Sequence, residues 1–392
     1  MQEFNAVYQD EIEERVYIEG IEAKKSGSKI VGVYCAFTPH ELIAAADAIP
    51  VSLCAGSEKP IPFAEKHLPR NLCPLVKSSY GYAINGECPY FNSTDFLIAD
   101  STCDGKKKMF ELMSKVKPLF LMMLPQNYIY ENSKKYWLQE IYQIRDSLEA
   151  LTGNKITDGS LSNQIKLYNR YRQTVRDIFE LNLNGSPKLS GSEINAIMGS
   201  AGFEIHLESR IKEMNEAKQM VLARSQTEKW RHAFSQKPRI LLTGCPTTNK
   251  KVIEAIEAAG GVVCAMESCG GLKTAGDLVD ENGNPWEALA EHYIQVACPC
   301  MSPNPRRLEI LSNLVEDYQV EGVLELVWQG CHTYNVESHQ IKKHVQERHQ
   351  MPYLLIETDY SESDNGQIRL RVEAFLELIK EKNNKRKGDT TQ

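Results

Sequence analysis

Eleven cysteines are spread along the 392-residue chain: Cys35, Cys54, Cys73, Cys88, Cys103, Cys245, Cys264, Cys269, Cys298, Cys300 and Cys331. The number is odd and the chain is long, which suits a disulfide framework poorly. In a reducing compartment thiols stay free. Metal binding or redox chemistry then becomes the leading use for the set. The plainer use of any one thiol is to pack as a small hydrophobe. Four cysteines precede a proline: Cys73, Cys88, Cys245 and Cys298. Random placement of 11 cysteines and 17 prolines yields fewer such pairs. Proline fixes φ and removes a donor, which stiffens the turn around a metal. A Cys-Pro pair also closes the ligand run of bacterial ferredoxins. Cys269 precedes Gly270 and Gly271, which let backbone N–H groups approach a sulfide. Zinc is the main competitor, but structural zinc sites pair their ligands closely in sequence. Only Cys298-Pro299-Cys300 is that close here. Thiolates scattered over strand ends fit an iron–sulfur centre cradled between domains better.

The elements that must hold these thiols follow a strand–helix rhythm. From Lys29, KIVGVYCAF reads as a strand, TPHELIAAADA as a helix and IPVSLC as a second strand. DFLIAD and KPLFLMMLP are two more apolar runs, separated by the helical KKKMFELMSK. Such alternation indicates a mainly parallel sheet. The rhythm resumes at Pro238 with PRILLTG, NKKVIEAIEAAG, GVVCAMES, EGVLELVWQ and MPYLLIETD. Between the two lie long stretches with apolar residues at helical spacing. Ser190 and Ser192 before Glu193 mark a helix start. The expected class is α/β: two Rossmann-like parallel-sheet domains related by pseudo-symmetry, with a helical insert between them. The expected division is an N-terminal helix over 1–28, α/β domains over 29–126 and 237–380, a helical linker domain over 127–236, and a flexible tail over 381–392.

The halves resemble each other in cysteine spacing. Cys35 and Cys54 stand 19 residues apart around a helix, as do Cys245 and Cys264. Cys73 precedes Cys103 by 30, and Cys300 precedes Cys331 by 31. Ligands of parallel sheets gather beyond the carboxyl ends of strands. Both halves therefore aim thiols at the same kind of place.

Bulk composition narrows the rest. A net charge of -7 argues against nucleic acid as a partner. No apolar run approaches the roughly 18–20 residues of a membrane span. The acidic N-terminus does not read as a secretory signal, so a cytoplasmic location is expected. No G-x-x-x-x-G-K-[ST] loop and no G-x-G-x-x-G occurs. Any ATP-derived energy must therefore come from a partner.

Several stretches resemble the 2-hydroxyacyl-CoA dehydratase D-component family, and within it most closely the double-cubane-cluster proteins. They are GVYCAFTPHELIAAADAIPVSLC, LCPLVKSSYG, GECPYFNSTDFLIADSTCDGKKKMFE, RILLTGCP, MESCGGLKT, ACPCMSPNPRR, GCHTYNVES and IETDYSESDNGQIRLRVEAF. Together they cover roughly two-thirds of the chain, in both α/β halves. The resemblance implies a [4Fe–4S] cluster held by three cysteines, matched here by Cys73, Cys103 and Cys331. In double-cubane relatives two cubanes share a bridging sulfide, giving [8Fe–9S], which needs six thiolates. The second set is assigned to Cys88, Cys269 and Cys300, with Cys245 and Cys298 in reserve, on pseudo-symmetry and their Cys-Pro or Cys-Gly context. Cys35, Cys54 and Cys264 are read as structural.

The resemblance also implies a separate ATP-hydrolysing activator protein, with its own [4Fe–4S] cluster, as electron donor. Homodimerisation, oxygen sensitivity and an anaerobic setting are expected with it. Three functions compete: an ATP-coupled reductase of small-molecule substrates, a dehydratase subunit with one cubane, and an electron carrier. Glu267, Glu325, His332 and Tyr334 lie next to the cysteine motifs and are candidates for orienting or protonating groups around the centre.

Overall fold

The computed structural model describes residues 6–199, 203–247 and 249–389. The apolar runs of the first half form β1 (Lys29–Tyr34), β2 (Ala48–Ser52), β3 (Phe96–Asp100) and β4 (Leu119–Met122). They pair in the order β2-β1-β3-β4, all parallel. The second half forms β5 (Arg239–Gly244), β6 (Val262–Glu267), β7 (Gly322–Trp328) and β8 (Tyr353–Thr358). Their order is β6-β5-β7-β8, again all parallel. The two sheets thus repeat one topology, as the expected α/β class requires.

The strands read as continuous apolar runs because both faces are covered. β6 and β7 are buried along their whole length. Parallel neighbours need a crossover, and each half supplies helices for it. His40–Ala45 joins β1 to β2, and Asp104–Met113 joins β3 to β4. Lys251–Ala258 and His332–Arg348 do the same in the second half.

Four helices of eight residues or more lie between the sheets in sequence: Glu131–Thr152, Asp158–Glu180, Gly191–Met198 and Leu207–Ser225. Ser190 starts the third of these. Its hydroxyl accepts from the Glu193 N–H at 3.2 Å, and the Glu193 carboxylate accepts from the Ser190 N–H at 3.0 Å. The reciprocal pair satisfies two donors left open at the helix start.

One hydrophobic cluster runs through both sheets, with Val51 and Leu97 from the first and Leu241 and Leu324 from the second. Ile178, Phe179 and Val221 of the intervening helices belong to it. A second cluster packs Val31, Val33 and Ile98 against Trp137, Ile141 and Leu161, and also against Trp286 and Leu289 from the second half. The halves therefore share their cores through the helices between them. The last helix runs Asn365–Asp389. No helix among the described residues is long and apolar enough to cross a membrane.

A candidate thiol-lined site

All eleven cysteines are free. Ten of them, all but Cys264, line one cavity of about 1310 Å³. Strand ends explain why. Cys35 directly follows β1 and Cys245 directly follows β5. Cys54 stands two residues past β2, and Cys269 two past β6. Cys103 stands three residues past β3, and Cys331 three past β7. These are the true equivalences of the repeat. Cys264, expected from its spacing to match Cys54, lies inside β6 instead. Its thiol donates to the Ile240 carbonyl at 3.5 Å, and burial pushes its pKa up to about 12. The spacing of 19 misleads because Cys264 is a strand residue whereas Cys54 is a loop residue.

The remaining thiols sit on loops and helix starts. Cys73 caps the helix Pro74–Asn85, and Cys88 caps Pro89–Ser93. In both cases the proline after cysteine is the first helical residue, where its missing N–H costs nothing. Cys103 and Cys331 also cap helices, Asp104–Met113 and His332–Arg348. A helix N-terminus favours negative charge, so it favours a thiolate. Backbone N–H groups reach the sulfurs directly. Phe91 donates to Cys88, Lys106 to Cys103 and Trp328 to Cys245, each at 3.4 Å.

Cys73 and Cys245 converge on Cys331. Their hydrogen bonds hold the Cys331 thiol well below its ordinary range, while Cys73 is raised by the same contact. Glycine permits this approach. Gly330 has φ +73°, and a Cβ there would stand 2.6 Å from the Asn71 carbonyl oxygen, on the loop leading to Cys73. Cys298 and Cys300 form a second contact, in which the Cys300 hydrogen bond brings Cys298 down to about 7. Cys35 and Cys269 feel the charge of Cys298, and Cys103 that of Cys331. Cys331 thus meets Cys245 and Cys73, while Cys103 only feels its charge. Cys269 and Cys300 gather around Cys298. Cys88 lines the same cavity, but its pKa is raised by burial and answers to no other thiol.

Two of the four polar candidates, His332 and Tyr334, line the cavity. Glu267 and Glu325 lie behind it in a buried ion network. The Arg307 guanidinium donates to Glu267 at 3.2 Å, to Glu325 at 3.3 Å and to the Thr243 hydroxyl at 2.9 Å, and it also pairs with Glu337. Lys273 pairs with Glu267 at 3.0 Å and donates to the Tyr334 hydroxyl at 2.8 Å. Burial raises the Glu267 carboxyl, but Lys273 and Arg307 outweigh it and hold it below its usual value. Glu325, to which Tyr353 donates at 2.6 Å, is pushed up by burial.

Three features at or behind the cavity wall carry no motif in the sequence. Lys106 lines the cavity. Burial opposes its charge, but Cys35, Cys54 and Cys103 outweigh burial and hold the ammonium well above the usual lysine range. Asp100 accepts from the Phe37 N–H at 3.2 Å and the Thr38 hydroxyl at 3.1 Å, fixing the loop that Cys35 opens with φ +95°. Burial pushes Asp100 up to about 7. Farther along, Glu204 bridges His40 at 2.8 Å and Tyr168 at 2.9 Å.

The donor set is sulfur, held on loops and supplied with N–H groups, which fits an iron–sulfur group. Among the described residues no three His, Cys, Asp or Glu side chains converge on a point that would hold a single metal ion.

Residues 35–379 match the family described as 2-hydroxyglutaryl-CoA dehydratase, D-component. The chain belongs to that family. The match takes in every cysteine of the cavity and both sheets from the end of β1 onward. A similar protein, Escherichia coli (strain K12) "Putative dehydratase subunit YjiM", is 42% identical over 93% of this chain and 94% of its own. The (R)-phenyllactyl-CoA dehydratase beta subunit of Clostridium sporogenes is 24% identical over 91% of this chain and 93% of its own. A benzoyl-CoA reductase subunit from Thauera aromatica is 25% identical over 43% of this chain and 44% of its own.

Proposed function

We propose that this chain is an iron–sulfur reductase that delivers low-potential electrons to a small molecule inside the thiol-lined cavity. The observation that carries the reading is the convergence of ten cysteines from both halves on one cavity. Ten thiols exceed what one cubane uses, which favours a double-cubane [8Fe–9S] group. When bound, such a group supplies one-electron transfer at low potential. The chain's own residues do the rest. Cys73, Cys103 and Cys331 form the first ligand set. Cys269 and Cys300 belong to the second, and the contacts around Cys298 favour it over Cys88 as the sixth ligand. Tyr334, held by Lys273, and His332 present hydroxyl and imidazole groups that can hold or pass a proton at the cavity wall.

The electron donor in this reading is a separate ATP-hydrolysing activator with its own [4Fe–4S] cluster, since this chain has no phosphate loop. The working unit is a homodimer in an anaerobic cytoplasm. Protein purified without oxygen should hold about eight irons per chain, with matching sulfide. About four irons would sink the double cubane.

One observation favours a second reading. The relatives aligned over nearly their whole length include dehydratase beta subunits. In that reading the chain is one subunit of a 2-hydroxyacyl-CoA dehydratase with a single [4Fe–4S] cluster. Dehydration of a 2-hydroxyacyl-CoA in the presence of the activator, with about four irons per chain, would decide for it.

A further inference from the structure

Besides its ten thiols, the cavity is lined by His40, Glu204 and Tyr168. Three separate parts of the chain bring them together. His40 opens the helix His40–Ala45, five residues after Cys35, and Cys35, Ala36 and Thr38 line the same cavity. Tyr168 lies in the helix Asp158–Glu180. Glu204 is pinned to β2, because its N–H donates to the Pro50 carbonyl at 2.9 Å. Both carboxylate oxygens of Glu204 are engaged. Oε1 stands 2.8 Å from His40 Nδ1, and Oε2 accepts from the Tyr168 hydroxyl at 2.9 Å. An ionised carboxylate can only accept, so Nδ1 carries the proton of that bond. The Tyr168 ring also meets the imidazole edge-on, with centroids 6.3 Å apart and planes at 86°. Nε2 has no partner among the described residues, and 20% of the His40 side chain stays open. In this arrangement a carboxylate sets the tautomer of a histidine and leaves its other nitrogen for chemistry.

The surrounding charges favour the protonated ring. Burial opposes its charge, but Glu204, helped by Glu41, outweighs burial and raises His40 above its ordinary value. Glu41 is itself matched by Arg172 at 2.6 Å and accepts from Tyr293 at 2.7 Å. Arg210, from the helix Leu207–Ser225, is paired with Glu213 at 3.3 Å. His292 also lines the cavity, but burial and Arg172 push it down to about 4, so it is uncharged near neutral pH. We infer that His40 is a further catalytic residue of the cavity: its Nε2 gives the proton that follows each electron onto the bound small molecule, with Glu204 and Tyr168 as positioning residues. This rests on the reductase reading given above. The step is a two-electron reduction of an unsaturated molecule. The external donor loses two electrons and the small molecule gains them. One π bond breaks, two bonds to hydrogen form, and two protons are consumed. His40 gives a proton from Nε2, keeps Nδ1–H on Glu204, and is reprotonated from water before the next transfer.

The test uses the full chain purified anaerobically, as wild type, His40→Gln, Glu204→Gln and His339→Gln, the last at an exposed histidine of the helix His332–Arg348. The probe is acetylene reduced with titanium(III) citrate, because acetylene carries no group that titrates near neutral pH. Ethylene is measured from about pH 5.5 to about pH 8.5, the range in which histidine titrates. At equal iron content His40→Gln should lose about a hundredfold in rate, as expected for a positioned proton donor, and His339→Gln should match wild type. Glu204→Gln removes the carboxylate charge, so its rate should begin to fall at lower pH than that of wild type. The metal-free proteins, labelled with 13C-histidine, give a readout without turnover. The resonance lost in His40→Gln should titrate above about 6.5 in wild type and move down in Glu204→Gln. An unchanged rate in iron-loaded His40→Gln would overturn the proposal, as would a wild-type resonance titrating below about 6.5. If His40→Gln does not fold, Glu204→Gln decides alone, and an unmoved pH profile overturns the proposal. Iron-loaded wild type that makes no ethylene would overturn the reductase reading, and wild type that binds no iron the iron–sulfur reading. Both failures are seen in wild type alone and so are told apart from that of His40.

Discussion

Cys264 and Cys331 differ in where the strand stops. The first lies inside β6 and the second lies three residues past the end of β7. The first therefore has its thiol turned into the core, and the second has it turned into the cavity. Cys331→Ser should lose most of the iron of anaerobically purified protein. Cys264→Ala should keep the iron and lose about 1 kcal/mol of stability in urea denaturation, the usual cost of a small vacancy in a core. Asp100 makes a pH prediction for the metal-free protein. Burial raises its folded pKa to about 7, above an unfolded value of about 4. The folded state thus holds the proton more tightly, so this contribution to stability is present below about pH 4 and is lost as pH rises toward about 7. Replacing Asp100 with Asn should flatten the decline of stability between about pH 4 and about pH 7, measured by urea midpoints across that window. Unchanged slopes would show that another group dominates.

Loops and helix starts, rather than strands, hold the chemistry. Gly330 is the clearest case, since its missing side chain lets the Cys331 loop rest on the loop of Cys73. Gly330→Ala should separate the two thiols and reduce iron content, while far-UV circular dichroism stays close to wild type. Arg307 is a different kind of link. It joins Thr243 at the end of β5, Glu267 at the end of β6, Glu325 in β7 and Glu337 on the helix His332–Arg348. Arg307→Met leaves three carboxylates around a vacated site. A loss of about 3–5 kcal/mol is expected from breaking a buried pair on one side, read from chemical denaturation. A loss below about 1 kcal/mol, the level of a surface pair, would show that the network is not needed for the fold.

The strands were legible in the sequence because parallel strands are buried on both faces and leave continuous apolar runs, such as EGVLELVWQ for β7. Ser190 and Glu193 were legible because a helix start uses a fixed local spacing. The cysteine set was legible as a set, through its Cys-Pro pairs. Which thiols meet was not. Cys245 touches Cys331 across 86 positions of sequence, and no local pattern encodes a contact between the ends of two strands. Lys106 left no trace for a similar reason. It reads as one lysine in KKK, and only the turn of its helix separates it from the two that pair with surface carboxylates.

At the scale of the whole molecule, two sheets of the same strand order share one hydrophobic core through the helices between them. Neither half encloses the cavity alone. A ligand that binds only the folded chain stabilises it by mass action. Protein loaded with iron should therefore melt in one transition, at a higher temperature than the metal-free protein. Two separate transitions, with only one moved by iron, would show that the halves act independently.

The repeated topology also bears on ancestry. A chain of half this length, carrying one sheet and its three strand-end thiols, would have to pair with a copy of itself to close such a cavity. Both walls would then carry identical residues. Joining two copies in tandem releases that constraint. One wall can then carry Lys106 at the cavity surface while the other buries Lys273 against Glu267. Duplication followed by divergence thus lets the two walls of one vessel differ.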